Sequence, residues 1–110
     1  MFEMEQLGDV ATVTVAEEMD ARNAQQAKDY FKDLVGEGSP HLVVDLTPIT
    51  FIDSSGLGAL VTALKAARQA GGDIRLCGLS APVKSIFELT RLYRVFDIFE
   101  NRSEAVASFN

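Results

Sequence analysis

The chain has 110 residues, of which 47% are hydrophobic and 24% are charged, and its formal net charge is −6. This length and composition predict one globular domain, 1–110, built on one hydrophobic core. The acidic balance argues against direct binding to nucleic acid, because phosphates attract basic surfaces. No apolar run approaches the ~20 residues of a membrane span, and no secretory signal pattern opens the chain. We therefore expect a cytoplasmic protein without membrane insertion.

The first half of the chain predicts a hairpin, a helix and a buried strand. Residues 2–7 and 10–15 have strand-like patterns and are joined by Gly8 and Asp9, which favour a tight turn. Asp20 is a plausible N-cap for the following helix. The nearly continuous apolar run 42–46 predicts a central strand covered on both faces. The apolar face of the helix consists of Ala24, Ala27, Phe31, Leu34 and Val35.

The stretch 49–60 changes character abruptly. An apolar run ends at Ile52, Asp53 and two serines follow, and a helical pattern begins. The serines are thus predicted at the helix N-terminus, where unpaired N–H groups and a partial positive charge can hold a phosphate. The predicted buried stripe of this helix is Leu57, Leu60, Val61, Leu64 and Ala67.

Helical phase distinguishes the two serines. Counting back from the stripe, Ser54 shares the buried face, whereas Ser55 lies on the open face with Gly58, Ala59 and Thr62. By spacing alone, a simple helix cap at Asp53 is the commoner explanation of this pattern. Spacing therefore leaves both a cap and a modification site open.

The second half predicts an alternation of strands and helices. The serine-bearing helix should run to Ala70 and stop at the glycines that follow, before a strand at 74–77. A third helix starts at residues 80–82, a short strand covers 96–99, and Asn101 begins a last helix that ends at Phe109. The order β-β-α-β-α-β-α-β-α predicts an α/β fold with a mixed sheet. The third helix has an apolar face of Val83, Ile86, Phe87 and Thr90, widened by Leu89 and Leu92.

Patterns for catalysis and for cofactors are missing. The sequence has neither a phosphate-binding loop with its lysine nor a Gly-x-Ser-x-Gly nucleophile motif. His41 opens its strand, far from Ser55 at the strand's exit, and no ligand cluster accompanies it. Cys77 is single, which excludes an internal disulfide, and its apolar surroundings predict a core residue. We expect a binding protein without cofactor or metal, not an enzyme.

The segment Asp53-Ser54-Ser55-Gly56-Leu57-Gly58, preceded by Phe51 and Ile52, resembles the signature of STAS-domain anti-sigma factor antagonists. The resemblance covers nearly the whole chain. It implies the STAS fold, a mixed sheet of about five strands with four helices, and phosphorylation of the second serine, Ser55. The family's Gly-Glu-Leu-Asp junction, whose loop lies beside that serine, corresponds to residues 17–20, with Glu17 in place of glycine.

The resemblance implies a partner switch. The unphosphorylated form would bind an anti-sigma factor serine kinase and free a sigma factor, and the kinase would end binding by phosphorylating Ser55. A metal-dependent serine phosphatase would reset the cycle. The expected partner-binding residues are Asp20, Asn23, Asp53, Ser54, Ser55, Gly56, Gly58 and Thr62.

Two other functions remain open on the same fold. STAS domains also serve as accessory subunits of lipid-transport machinery or as parts of signalling complexes. A third possibility is a small-molecule-binding STAS module in which the helix N-terminus holds an anion. Intact Asp53 and Ser55 favour the switch, and ligand-dependent thermal stabilisation by nucleotides would favour the small-molecule module.

Overall fold

A computed structural model describes residues 1–110, which form a five-stranded sheet and four α-helices. The predicted element order is confirmed, with one additional short 3₁₀ helix at Leu92–Arg94. No helix combines the length and apolar character needed to cross a lipid bilayer. The strands are β1 (Phe2–Leu7), β2 (Val10–Val15), β3 (His41–Asp45), β4 (Asp73–Cys77) and β5 (Ile98–Phe99). The helices are α1 (Ala24–Gly36), α2 (Ser54–Gln69), α3 (Ala81–Leu89) and α4 (Arg102–Ala107).

The strands lie side by side in chain order, β1-β2-β3-β4-β5. The predicted hairpin is confirmed: β1 and β2 are antiparallel, with Phe2 opposite Val15 and Leu7 opposite Val10. All other neighbours are parallel, as a helical crossover between them requires. Because β2, β3 and β4 run in one direction, the loops that leave them meet at the same edge of the sheet.

The sheet has a core on each face, and the alternation of side chains assigns residues to them. In the central strand β3, Leu42 and Val44 join the large core under α1, α2 and α3, whereas Val43 faces α4. Cys77 lies in the second core with Val10 and is fully buried, as predicted. The prediction of a central strand covered on both faces is therefore confirmed.

Four of the five predicted stripe residues of α2 are buried, but the buried face is wider than predicted and is shifted away from the fifth, Val61. Ala59 and Ala63 are fully buried, whereas Val61 is only half-buried. The small side chains let α2 approach its neighbours closely, so the buried face is centred on the alanines and turned away from Val61. The buried residues of α2 are Gly56, Leu57, Ala59, Leu60, Ala63, Leu64 and Ala67. The helix ends before Gly71, whose φ of +87° suits the predicted glycine stop.

The predicted start of α1 is wrong. The N-cap is Asn23, not Asp20, because a turn over residues 21–23 separates Asp20 from the helix. The Asp20 carboxylate instead accepts hydrogen bonds from the Arg22 backbone and guanidinium. Four of the five predicted apolar residues of α1 are buried, and Val35 is half-buried.

The second half differs from its prediction mainly at element ends. Leu89 does not widen the apolar face of α3: it is 86% exposed, because it lies opposite the face that buries Val83 and Phe87. Strand β5 is shorter than predicted, and α4 ends at Ala107 instead of Phe109. The Glu104 N–H donates to the Asn101 side chain, which confirms the predicted cap of α4.

Candidate functional site

Two loops meet where α2 begins. The first, residues 16–23, leaves β2, and the second, residues 46–53, leaves the neighbouring parallel strand β3. Met19 and Ile52, both buried, form an isolated parallel bridge, and the Asp53 N–H donates to the Met19 carbonyl at 3.2 Å. The sheet therefore brings the family-like junction 17–20 and the serine motif together, although they lie far apart in sequence.

Asp53 joins these loops to the helix. It is the N-cap of α2, and its Oδ1 accepts a hydrogen bond from the Gly56 N–H at 2.9 Å. Its Oδ2 accepts from the Ala21 N–H at 3.1 Å. The cap explanation from spacing is thus confirmed, and one carboxylate additionally fixes the first loop against the helix N-terminus.

Glu18 makes a second connection between the loops. Its carboxylate accepts hydrogen bonds from the backbone N–H groups of Thr50, at 3.0 and 3.2 Å, and Phe51, at 2.7 Å. These partners lie 32 and 33 residues away along the chain. Sequence spacing could not reveal this role; only the parallel pairing of β2 with β3 brings the two loops together.

The first loop is also held from within. The Asp20 N–H donates to the Asn23 side chain at 3.0 Å, and the Asn23 amide donates to the Glu18 carbonyl at 2.8 Å. Hydrogen bonds from Arg22 lower the pKa of the Asp20 carboxyl. Glu17, which replaces the family's glycine, does not have the positive φ that would favour glycine, because Arg91 is the only non-glycine residue with a positive φ. Asp20 and Asn23 therefore lie at the site on an ordered loop.

The two serines open α2, but helical phase does not separate them as predicted. Ser54 is exposed and Ser55 is half-buried, so the expected burial of Ser54 is wrong. The reason is the shifted stripe of α2: once Ala59 is buried, the open face is centred on Gly58 and both serines flank it. Their position in the first turn leaves their N–H groups without partners inside the helix.

The two glycines of the motif face opposite ways. A Cβ added to Gly58 would meet no atom within 4 Å, so the helix is open there, and Thr62 one turn later is exposed. A Cβ added to Gly56 would lie 2.7 Å from the Met19 carbonyl oxygen. Gly56 therefore faces the first loop and is inaccessible to another molecule. All other residues of the expected partner surface are at least partly accessible.

Reactive groups lie elsewhere in the molecule. Cys77 is fully buried, and burial raises the pKa of its thiol to about 12. His41 begins β3, at the edge of the sheet opposite the serines, and packs against Phe109. No cluster of His, Cys, Asp and Glu side chains could hold a metal ion. A cavity of about 650 Å³ between α3 and β5 includes none of the expected site residues.

Comparison with known proteins points to one family. The profile of the STAS domain matches residues 1–105. An anti-sigma-B factor antagonist of Listeria monocytogenes is 35% identical over 86 residues, which are 78% of this chain and 75% of the relative. An anti-sigma F factor antagonist of Paenibacillus polymyxa is 27% identical over 106 residues, 96% of this chain and 91% of the relative.

Solved structures show the same fold. A crystal structure of a candidate anti-sigma factor antagonist from Thermotoga maritima superposes with a TM-score of 0.92 at 28% identity, covering 97% of this chain and 92% of the other. The unphosphorylated form of the anti-sigma factor antagonist SpoIIAA gives a TM-score of 0.84 at 18% identity, covering 99% and 96%. Phosphorylated SpoIIAA from Bacillus gives 0.75 at 17% identity over the whole of both chains.

Proposed function

The chain belongs to the STAS-domain family, and we propose that it is an anti-sigma factor antagonist whose partner docks on the N-terminal end of α2. The names of its relatives support the partner class. The observation that carries the site is the double hydrogen bonding of Asp53, which fixes the loop of Asp20 and Asn23 beside the exposed start of α2. This arrangement forms a binding surface, and we propose no catalytic activity.

The proposed surface is compact and pre-formed. Gly58 is open, Thr62 is exposed, and Ser54 and Ser55 lie beside them. Both flanking loops are held by hydrogen bonds to Glu18 and Asp53. A rigid surface with little side-chain volume lets the backbone of a partner approach closely and loses little conformational freedom on binding.

We propose further that Ser55 is the phosphorylation site and that phosphorylation ends binding. The motif resemblance selects Ser55, and the structure leaves it partly accessible. A phosphate adds about −1.5 to −2 charge units and a bulky group to the surface. The free N–H groups at the start of α2 favour a phosphate there, so phosphorylation should leave the fold intact. SpoIIAA, with the same fold, has been solved both without and with its phosphate.

The remaining steps of the proposed cycle involve two enzymes. The anti-sigma factor would itself be the serine kinase, so that binding leads to phosphorylation and release. A metal-dependent serine phosphatase would restore the binding form. This chain would thus act as a substrate of both enzymes, and its binding to the anti-sigma factor would free a sigma factor.

Capture from the native cell tests the proposal. Wild type, Ser55→Ala and Ser55→Asp chains are immobilised, and retained proteins are identified by mass spectrometry. We expect wild type and Ser55→Ala to retain an anti-sigma factor with a kinase domain and Ser55→Asp to lose it. Asn110→Asp, which adds a charge at an exposed position near His41 and away from the serines, is the control and should bind like wild type. Absence of any anti-sigma factor from the wild-type sample would contradict the proposal.

A further inference from the structure

Phe51 is an aromatic residue that the fold exposes beside the proposed binding surface. Its side chain is 50% exposed, whereas Ile49 and Ile52 are buried. It lies two residues before the cap of α2, Asp53. Single exposed hydrophobic residues are common on proteins, so exposure alone assigns no function. The contacts of its backbone are more informative.

The backbone around Phe51 is fixed on both sides. The Glu18 carboxylate accepts the Phe51 N–H at 2.7 Å and the Thr50 N–H at 3.0 Å, and the Thr50 hydroxyl also donates to it at 3.3 Å. Hydrogen bonds to a charged acceptor are stronger than those between neutral groups. On the other side, the Asp53 N–H donates to the Met19 carbonyl. The loop thus holds an apolar side chain outward from a constrained backbone.

We propose that Phe51 is an apolar anchor of the partner surface and that Glu18 is the positioning residue that presents it. The inference rests on the proposed function: the occupant is the anti-sigma factor, whose docking surface should carry an apolar pocket beside the part that meets Gly58. Aromatic side chains commonly supply much of the energy of an interface and lose few rotamers when they bind. Exposed polar Thr50 and Ser54 flank Phe51 and would border such a pocket.

The hydrogen bonds also define how Glu18 acts. Its carboxylate is occupied by N–H groups of the second loop, so it contributes to binding through the position of Phe51. Glu17, which is exposed next to it, makes no such bonds and remains free to face a partner directly. The two neighbouring acids should therefore differ in the consequence of their removal.

Titration with the anti-sigma factor captured by the wild-type chain tests the anchor. We expect Phe51→Ala to raise the dissociation constant about tenfold or more, and Phe51→Leu, which keeps an apolar group, to restore most of the affinity. Leu89→Ala is the matched control, since Leu89 is 86% exposed at the C-terminal end of α3 and is not one of the proposed surface residues. It should leave the dissociation constant unchanged, and Phe51→Ala should leave the thermal midpoint near that of wild type.

A double-mutant cycle tests the role of Glu18. Glu18→Gln replaces one acceptor oxygen by a donor facing two N–H groups, so amide exchange at Thr50 and Phe51 should accelerate and binding should weaken. In a chain that already carries Phe51→Ala, Glu18→Gln should weaken binding little further, because Glu18 acts through the side chain that has been removed. Full additivity of the two losses would show that Glu18 acts independently of Phe51.

The outcomes separate this inference from the proposed function. If Phe51→Ala binds like wild type while Gly58→Leu loses binding, the anchor is overturned and the docking site on α2 stands. If Phe51→Ala loses affinity together with its thermal midpoint and Phe51→Leu restores neither, Phe51 is structural and the inference also fails. If no anti-sigma factor binds the wild-type chain, both proposals fail.

Discussion

Asp53 is the residue at which the candidate site is assembled. Its two carboxylate oxygens have separate partners, Gly56 in the helix and Ala21 in the neighbouring loop. Replacing it would therefore release the helix N-terminus and the loop together. Because Asp53 has this structural task, its place in the motif does not require direct contact with a partner.

The choice of phosphorylated serine is testable at the same scale. We expect the captured kinase and ATP to label Ser55 and not Ser54, although the structure exposes Ser54 more fully. Mass spectrometry of the labelled chain locates the phosphate. Ser54→Ala should be labelled normally and Ser55→Ala not at all. Phosphate on Ser54, or undiminished labelling of Ser55→Ala, would overturn the assignment.

The two motif glycines provide a matched pair. Gly58→Ala should raise the free energy of unfolding by up to ~1 kcal/mol, because alanine favours a helix over glycine and its Cβ meets open space. Gly56→Ala should lower it by about 1–3 kcal/mol, because its Cβ would crowd the Met19 carbonyl and Ile52. Urea unfolding measures both.

A large side chain at Gly58 should affect partner binding and not the fold. Gly58→Leu should keep the wild-type fold, judged by its unfolding midpoint, and abolish binding of the anti-sigma factor. Normal binding by this variant would show that the partner does not dock on this face of α2.

At the scale of elements, the sequence predicted every strand and α-helix, but not the exact faces or the short 3₁₀ helix. Alternation in β2 and the apolar run of β3 identify strands whatever their neighbours are. The buried side of α2, however, depends on how closely α1 and the loops approach, and the fully buried Ala59 and Ala63 carry no strong hydrophobic signal. The same limit applies to Glu18, whose hydrogen bonds depend on which strands pair.

Helix α2 should contribute to stability through its buried face, which includes Leu64 as predicted. Leu64 is 2% exposed, so Leu64→Ala should cost ~2–5 kcal/mol of unfolding free energy through lost burial and a cavity. Val61→Ala, in the same helix but half-buried, should cost clearly less. Equal midpoints for Leu64→Ala and wild type in chemical denaturation would contradict the core assignment.

At the scale of the whole molecule, an ion pair ties the last helix to the centre of the sheet. Arg102 of α4 donates to Asp45 at the end of β3, at 3.1 Å, and to the Thr14 hydroxyl of β2. Burial alone would raise the pKa of Asp45, but hydrogen bonds from Thr47 and the charge and hydrogen bond of Arg102 outweigh it and lower the pKa. Asp45 therefore links stability to pH.

The sign of this link follows from the lowered pKa. Asp45 stabilises the fold above the unfolded-state pKa of about 3.9, and this contribution is lost as the pH falls through the lower folded-state pKa. Arg102→Met should cost about 1–2 kcal/mol near neutral pH and flatten the acid side of the stability curve. Urea unfolding of both chains between pH 7 and pH 2 checks this. If the free energy of unfolding depends on pH in the same way in both chains, the Asp45–Arg102 pair does not contribute to that dependence.

The sheet order, in which each strand lies next to its predecessor, also affects how the molecule can form during synthesis. No strand has to insert between two others. Each strand that leaves the ribosome can therefore pair with the strand synthesised just before it, at the edge of the growing sheet. Both loops of the site and all of α2 lie within residues 1–69. A nascent chain of that length already contains every proposed contact residue, while the apolar edge of β3 still awaits β4. Early nascent chains should therefore depend on prompt elongation, or on a chaperone, to keep β3 from pairing with other strands.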